Sequence, residues 1–225
     1  MIYYCMSDIH GCISAFEKAL ELVLPQLDKS DAKLILLGDY IHEGEDSYAV
    51  LDRIMSLQKQ YGSEKVIALM GNHEEMACDN MWYINDHYFD DNKDKQYIEW
   101  MKKLPLYFHD EKTIFVHAGV DEQLQDLWKV GTQSFVFTEK YPAQIGHFYE
   151  DYIIVAGHVL TSEIAGSKRF HGIYFDGKSH YYIDADTLKS KKVNVLKVDT
   201  SKQKYYIVTP KGERTVKPYD RGTEK

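Results

Sequence analysis

Apolar positions in this chain follow two rhythms. Up to about residue 160, short unbroken apolar runs alternate with segments whose apolar residues recur at helical spacing. Ile2 to Met6 is such a run, followed by Ile13, Phe16, Ala19, Leu20 and Val23 on one helical face. Pro25 and the polar Asp28-Lys29-Ser30-Asp31 are expected to end that helix. Lys33 to Leu37 reads as a second strand. Asp46-Ser47 can cap a second helix reaching Gln60, with Tyr48, Leu51, Ile54, Met55 and Leu57 inward and Gly62 as its stop. Val66 to Met70 reads as a third strand. Strand, helix, strand, helix, strand in this order predicts parallel strands joined by right-handed crossovers.

From Glu74 to Leu104 the pattern turns helical, polar and aromatic. It holds an acidic stretch from Asp86 to Asp94 and a helix over Gln96 to Lys103 closed by Pro105. We read a helical cap inserted over residues 75–105. Thr113 to Val116 and Tyr152 to Ala156 are further strands, Asp121 to Trp128 a short helix, and 129–150 a loop. The second rhythm then takes over. Gly172 to Phe175, His180 to Ile183, Val193 to Val198 and Lys204 to Val208 are β-rich and expected to form antiparallel hairpins closing a second sheet. With no internal repeat and no low-complexity linker, residues 1–208 read as a single domain and 209–225 as a polar C-terminal tail that frays.

Composition narrows the possibilities. Of 225 residues, 44% are hydrophobic and 13% aromatic, enough for a substantial core and against disorder. The net charge is −8, and the one basic run is Lys189-Ser190-Lys191-Lys192. That weighs against nucleic acid as a partner, because such binding rests on Lys and Arg neutralising phosphates. The three cysteines show no zinc-type spacing and fit a reducing compartment. The first strand begins at once, with no signal peptide, and no apolar run approaches the ~20 residues that cross a membrane. A cytoplasmic location without membrane contact is expected.

The chemistry lies where the apolar runs stop. Five of them end in Asp, Asn or His: Asp8-Ile9-His10-Gly11, Gly38-Asp39, Gly71-Asn72-His73-Glu74, His117-Ala118-Gly119 and Gly157-His158. The C-terminal edges of strands are where α/β sheets place their ligands. Carboxylate plus imidazole suits Mn²⁺, Fe or Zn²⁺ better than Mg²⁺ or Ca²⁺, which prefer all-oxygen shells. Asp8, His10 and Asp39 would make one metal site. Asp39, Asn72, His117 and His158 would make the other, with Asp39 bridging. Two metals ~3.5–4 Å apart can generate a hydroxide and clamp a phosphoryl oxygen during in-line displacement. His73 is the candidate general acid for the leaving-group oxygen.

In this order the motifs resemble those of calcineurin-like metallophosphoesterases. The nearest branch is the phosphoprotein-phosphatase type, which includes bacterial serine/threonine phosphatases and symmetrical diadenosine tetraphosphate hydrolases. The resemblance spans residues 1 to 160. It implies an α/β fold, a four-layer α/β/β/α sandwich with a dinuclear metal site at the strand ends, and two divalent ions, Mn foremost with Fe or Zn as alternatives. A serine/threonine-phosphatase-like hydrolase acting on a phosphoprotein or small phosphoester is the function it implies first. A dinucleoside polyphosphate or phosphodiester hydrolase is the alternative, and a metal-binding module with little catalysis a third reading.

The chain departs from that branch after Asp39. A hydrophobic pair is usually followed there by Asp-Arg-Gly, with the Asp orienting the catalytic His and the Arg gripping phosphate. Here Tyr40-Ile41 is followed by His42-Glu43-Gly44. Glu43 repels an anion by charge. His42, through its imidazole, is a candidate to orient His73, with Glu43 and Glu74 as further supports behind the site. No arginine lies between His117 and His158, which leaves Arg169, Lys129 and Lys140 as candidate phosphate ligands.

Overall fold

A computed structural model of the protein describes residues 1–84 and 91–220. The unbroken apolar runs are strands buried on both faces, and each strand splits its side chains between two cores. In β1 (Ile2–Met6), Tyr4 and Met6 face one way while Tyr3 and Cys5 face the other. In β2 (Lys33–Leu36), Leu34 and Leu36 oppose Ile35 in the same manner. β1 runs parallel to β2, and β2 runs parallel to β3 (Val66–Ala68). The outer core is closed by α1 (Ile13–Lys29), which buries Phe16, Leu20, Val23 and Leu27, and α2 (Ser47–Tyr61), which buries Leu51, Ile54 and Leu57. Asp46 caps α2 by accepting the Ala49 N–H at 2.9 Å.

Behind the first sheet lies a second one. After α3 (Asn72–Cys78) and α4 (Asp91–Met101) come β4 (Tyr107–Asp110) and β5 (Thr113–Val116), then α5 (Trp128–Gly131), α6 (Ser134–Glu139), β6 (Ile153–Ala156), α7 (Thr161–Ile164), β7 (Tyr174–Phe175) and β8 (His180–Tyr182). The second sheet has the order β4-β5-β6-β8-β7. Phe115, Val155 and Tyr181 pack between the sheets against Tyr3, Cys5 and Ile35. Ile114, Val116, Ile154 and Tyr182 face outward onto Trp128, Phe137 and Phe148. The layers therefore run helices, sheet, sheet, helices, the four-layer α/β/β/α sandwich that the sequence implies.

Several local expectations need correction. α1 runs through the exposed Pro25 to Lys29, because burial of Leu27 holds its last turn. Residues 129–150 are not all loop: they contain most of α5 and all of α6, which the buried Trp128 and Phe137 anchor. The late strands do not all close the second sheet. β9 (Leu196–Asp199) and β10 (Lys204–Thr209) join the free edge of β1, with β9 antiparallel to it, and only β7 and β8 enter the second sheet. β8 there is parallel to β6. The tail expected from residue 209 instead forms β11 (Gly212–Thr215), paired with β10. All four β11 residues are exposed, so backbone hydrogen bonds and the Lys197–Glu213 ion pair hold it and no apolar pattern announces it. His87, the first part of the acidic stretch (86–90), and residues 221–225 lie outside the described residues. Among the described residues no helix is long and apolar enough to cross a membrane.

Candidate metal centre

The parallel strands deliver their C-terminal ends to one edge, and the loops there are zipped together by backbone bonds. Ile9 N–H and His10 N–H both donate to the Asp39 carbonyl, at 2.8 and 3.0 Å, and Gly11 N–H donates to Tyr40 O at 2.8 Å. This zipper bends the chain into left-handed conformations at Asp8 (φ 54°), His10 (47°), Asp39 (56°), His42 (73°) and His158 (63°). Each such residue costs on the order of 1–2 kcal/mol, and their clustering marks strain stored at one place. Two glycines let the loops touch. A Cβ on Gly71 would collide with Asp39, and one on Gly157 with Asp8 and Ser7.

Asp39 Oδ2 sits amid three imidazoles, with Nε2 of His117 at 3.4 Å, of His10 at 3.7 Å and of His73 at 3.9 Å. Two groups of ligating atoms result, His10-Asp39-His73 and Asp39-His117-His158, each within 4.8 Å of one another, with Asp39 common to both. Asn72, the first residue of α3, places its Oδ1 at 3.0 Å from His117 Nε2 and 3.1 Å from His158 Nδ1. His117 Nδ1–H donates to the Leu37 carbonyl at 3.0 Å, so a neutral His117 turns a bare Nε2 toward two oxygens that only accept. His10 Nδ1 is buried with no partner.

The donor set fits a divalent cation. Lone pairs face lone pairs across this pocket, and something positive is required between them. Ligand atoms about 2.0–2.2 Å from a metal stand roughly 3–3.5 Å apart, close to the spacing around Asp39. Without such a charge a proton takes the role. Burial would lower the His117 pKa, but Asp39 beside it outweighs burial and lifts it to about 9. Burial would likewise raise Asp39, yet the surrounding histidines hold it well below the usual carboxylate range. His73 and His158 are both pushed down to about 4, chiefly by burial.

Of the residues singled out from sequence, the structure brings Asp39, His10, His73, Asn72, His117 and His158 together. Asp8 joins them, but its two carboxylate oxygens accept the His158 N–H at 3.0 and 3.1 Å. Burial, acting against the pull of His117, raises its pKa. Glu74 is fully buried and straps the loops together, accepting N–H groups of Asp39 and Tyr40 at 2.8 Å and of Gly71 at 3.1 Å. Burial, with Asp39 near, still raises its pKa to about 7.

His42 contacts His73 directly, with no intervening Glu43 or water. Its Nδ1 is 2.8 Å from His73 Nδ1 and its Nε2 is 2.8 Å from the Tyr83 carbonyl. Because that carbonyl can only accept, His42 Nε2 carries the hydrogen, and Nδ1 of the neutral ring accepts from His73 Nδ1–H. Nε2 of His73 is thereby turned to the Asp39 side.

The cations behave differently. Lys140 donates to Val120 O at 2.6 Å and to Glu122 at 3.0 Å. Arg53 pairs with Glu17 at 2.8 Å. Arg169 is exposed, and no hydrogen bond or ion pair joins it to the cluster among the described residues. Two features escaped sequence reasoning. Asp184 ends the apolar run of β8 as Asp39 ends that of β2, and its pKa is pushed well up by burial and by Asp8. The same strand-end rule would have found it. Trp82 lays its ring 5.3 Å from His42 and 5.8 Å from His73; no periodicity signals that contact.

The family model described as calcineurin-like phosphoesterase matches residues 1–198. A symmetrical bis(5'-nucleosyl)-tetraphosphatase of Wigglesworthia glossinidia brevipalpis is 32% identical over 130 residues, 53% of this chain and 45% of that protein. One from Acidovorax sp. (strain JS42) is 39% identical over 74 residues, 33% of this chain and 24% of that protein. The chain thus spans less than half the length of these relatives. Among solved structures, the cold-active protein-tyrosine phosphatase of a psychrophile Shewanella species aligns with TM-score 0.65 at 15% identity, over 96% of this chain and 80% of the other. A protein serine/threonine phosphatase from Saccharomyces cerevisiae aligns with TM-score 0.50 at 15% identity, over 98% and 81%. At such identities the likeness is one of fold.

Proposed function

The chain belongs to the calcineurin-like phosphoesterase family, and from that premise we propose that it hydrolyses a dinucleoside polyphosphate at a two-metal centre. The observation that carries the reading is the convergence on Asp39, where one carboxylate serves two groups of ligating atoms. In our assignment Asp8, His10 and Asp39 hold one ion, and Asp39, Asn72, His117 and His158 hold the other. The mixed oxygen and imidazole donors suit Mn²⁺, Fe or Zn²⁺, and the family resemblance puts Mn²⁺ first. Two such ions would supply a water of lowered pKa and a clamp on phosphoryl oxygens.

The chain's own residues do the rest. Asp39 and Glu74 fix the spacing of the loops, Glu74 through its backbone bonds to the β2 and β3 ends. His73, whose Nδ1–H is held by His42, would act from the charged form of its ring and give the departing oxygen the proton then carried on Nε2. His42 holds the ring of His73 in place by accepting at Nδ1, as the family's Asp does, but without a negative charge. His42 is therefore a positioning residue in this reading.

A serine/threonine phosphatase, the first implication of the sequence, draws less support. The relatives reported above are tetraphosphatases, while Glu43, in place of a phosphate-gripping Arg, sets the chain apart from both kinds of enzyme. The test is a panel on protein loaded with a defined metal: diadenosine tetraphosphate, a phosphothreonine peptide and bis-p-nitrophenyl phosphate. We expect the dinucleotide to give the highest kcat/KM with Mn²⁺. A clear preference for the peptide would replace the proposal with the phosphatase reading. No turnover with Mn²⁺, Ni²⁺, Co²⁺ or Zn²⁺ would leave only a binding module.

A further inference from the structure

Beside His73 and His42 opens a cavity of about 450 Å³ lined by Glu43, Asn80, Met81, Trp82 and Tyr83. Three of its walls are large side chains held in solvent: Met81 is 67% exposed, Trp82 51% and Tyr83 53%. Such a run of exposed apolar surface is a binding surface by default. It is also tied to the centre. Trp82 meets His42 and His73 edge to ring, and the Tyr83 carbonyl holds His42.

Its chemistry says which part of a substrate it takes. Among the described residues none that lines it is cationic, and Glu43 adds a carboxylate, so these walls do not attract phosphate. It offers ring faces for stacking, and the Glu43 carboxylate and Asn80 amide for the edge of a polar ring. It also lies on the side of His73, where in-line displacement sends the leaving group. A leaving nucleotide would keep its phosphates at the centre and carry its base outward past His73. We propose that this cavity is the subsite for the nucleobase of the leaving nucleotide, stacked on Trp82 with its N–H groups toward Glu43. This rests on the dinucleoside polyphosphate reading given above.

The test compares substrates with and without a base. On Mn²⁺-loaded protein, kcat/KM is measured for diadenosine tetraphosphate and for inorganic tetraphosphate, in wild type, Trp82→Ala and Trp82→Phe. In parallel, calorimetry measures binding of ADP and of pyrophosphate to metal-free protein. We expect Trp82→Ala to lower the ratio of dinucleotide to tetraphosphate kcat/KM at least tenfold, mainly through KM, and Trp82→Phe to restore most of it. ADP binding should weaken by a similar factor and pyrophosphate binding much less. An unchanged ratio while wild type cleaves the dinucleotide overturns the subsite and leaves the proposed function standing. A wild type that cleaves tetraphosphate or a phosphothreonine peptide, but no dinucleotide, overturns both. A Trp82→Ala defect confined to the peptide assigns the cavity to a peptide side chain and likewise overturns the proposal.

Discussion

Among the described residues, two buried clusters of histidine and carboxylate are balanced in opposite ways. In one, His180 lies between two acids: its Nδ1 is 3.0 Å from Asp176 and 3.1 Å from the Gly146 carbonyl, and its Nε2 is 3.1 Å from Glu122. Lys140 adds a further positive charge to Glu122. Each ring N–H has an acceptor, and charge closes on itself. In the other, ring nitrogens of His10, His73, His117 and His158 crowd the one carboxylate of Asp39, with Asn72 offering one more oxygen, and a neutral His117 turns a bare Nε2 to both oxygens. There acceptors meet acceptors. Both clusters are buried, and burial alone does not separate a brace from a site. The separating feature is whether the polar atoms satisfy one another. The first cluster joins β8 to the segment before α5. The second asks for cations.

The largest break in that contrast comes from Asp39. Asp39→Asn removes the charge shared by both ligand groups, so metal and activity should fall together. We expect turnover to drop roughly a thousandfold, the equivalent of several kcal/mol of transition-state stabilisation, and elemental analysis to show fewer than two ions per chain. If two ions remain at full occupancy, Asp39 does not bridge. Removing the metals from wild type comes next. A ligand at a hundred times its Kd stabilises by about 2.7 kcal/mol, which for a chain of this size raises Tm by roughly 5–10 °C. Chelation should cost that much in a melting scan, and His180→Gln protein should lose the same amount on chelation. An equal Tm with and without metal would mean that the Asp39 cluster satisfies itself as the His180 cluster does.

Smaller, and confined to chemistry, is the effect of His42→Ala. The ring of His73 would lose its acceptor while every proposed metal ligand stayed. General acid catalysis contributes about 10²–10⁴-fold, so we expect kcat to fall roughly ten- to a hundredfold on substrates with poor leaving groups. With p-nitrophenolate, which departs without help, the drop should be slight, and metal content should be unchanged. An equal loss on both kinds of substrate would mean that His42 serves structure alone. His42→Asn, whose side-chain oxygen can accept from His73, should recover part of the loss.

How far the sequence reveals each cluster follows from its physics. The metal centre was legible because every member ends or follows a buried apolar run, and strand ends need no knowledge of long-range pairing. His10, Asp39, His73, Asn72, His117 and His158 could thus be gathered from five separate stretches. Asp184 obeys the same rule and was missed, hidden in a β-rich stretch that read as hairpins. His180 gives no such signal, since it opens a β-rich run and its partner Glu122 does not end one. The sandwich followed from the resemblance carried by the motifs, while the apolar runs by themselves predicted only the parallel strands of the first sheet. The place of β9 beside β1 was not, because edge pairing leaves no periodic trace, and β11 carries no buried side chain at all. The Trp82 contact depends on how a polar, aromatic segment folds back, which apolar spacing cannot encode.

The smallest effect, and the one that tests the brace directly, is on stability against pH. Burial would lower the His180 pKa, but its bonds to Asp176 and Glu122 raise it. Asp176 is held down to about 2 by those bonds despite its own burial, and Glu122 is lowered for the same reason, with Lys140 adding to the effect. A raised histidine contributes fully below its unfolded value of about 6.5 and loses the contribution as pH rises through the folded value. A depressed carboxylate contributes above its unfolded value of about 4 and loses it as pH falls toward the folded one. The brace should therefore be strongest between about pH 4 and 6.5. The readout is the difference in Tm between wild type and His180→Gln, which cancels the titration of the metal centre. We expect a gap of a few degrees near pH 5.5 that narrows steadily toward pH 9. A gap that stays constant over that range would mean His180 is neutral throughout, and the cluster would then be held by hydrogen bonds without the ion pairs that set it apart from the site at Asp39.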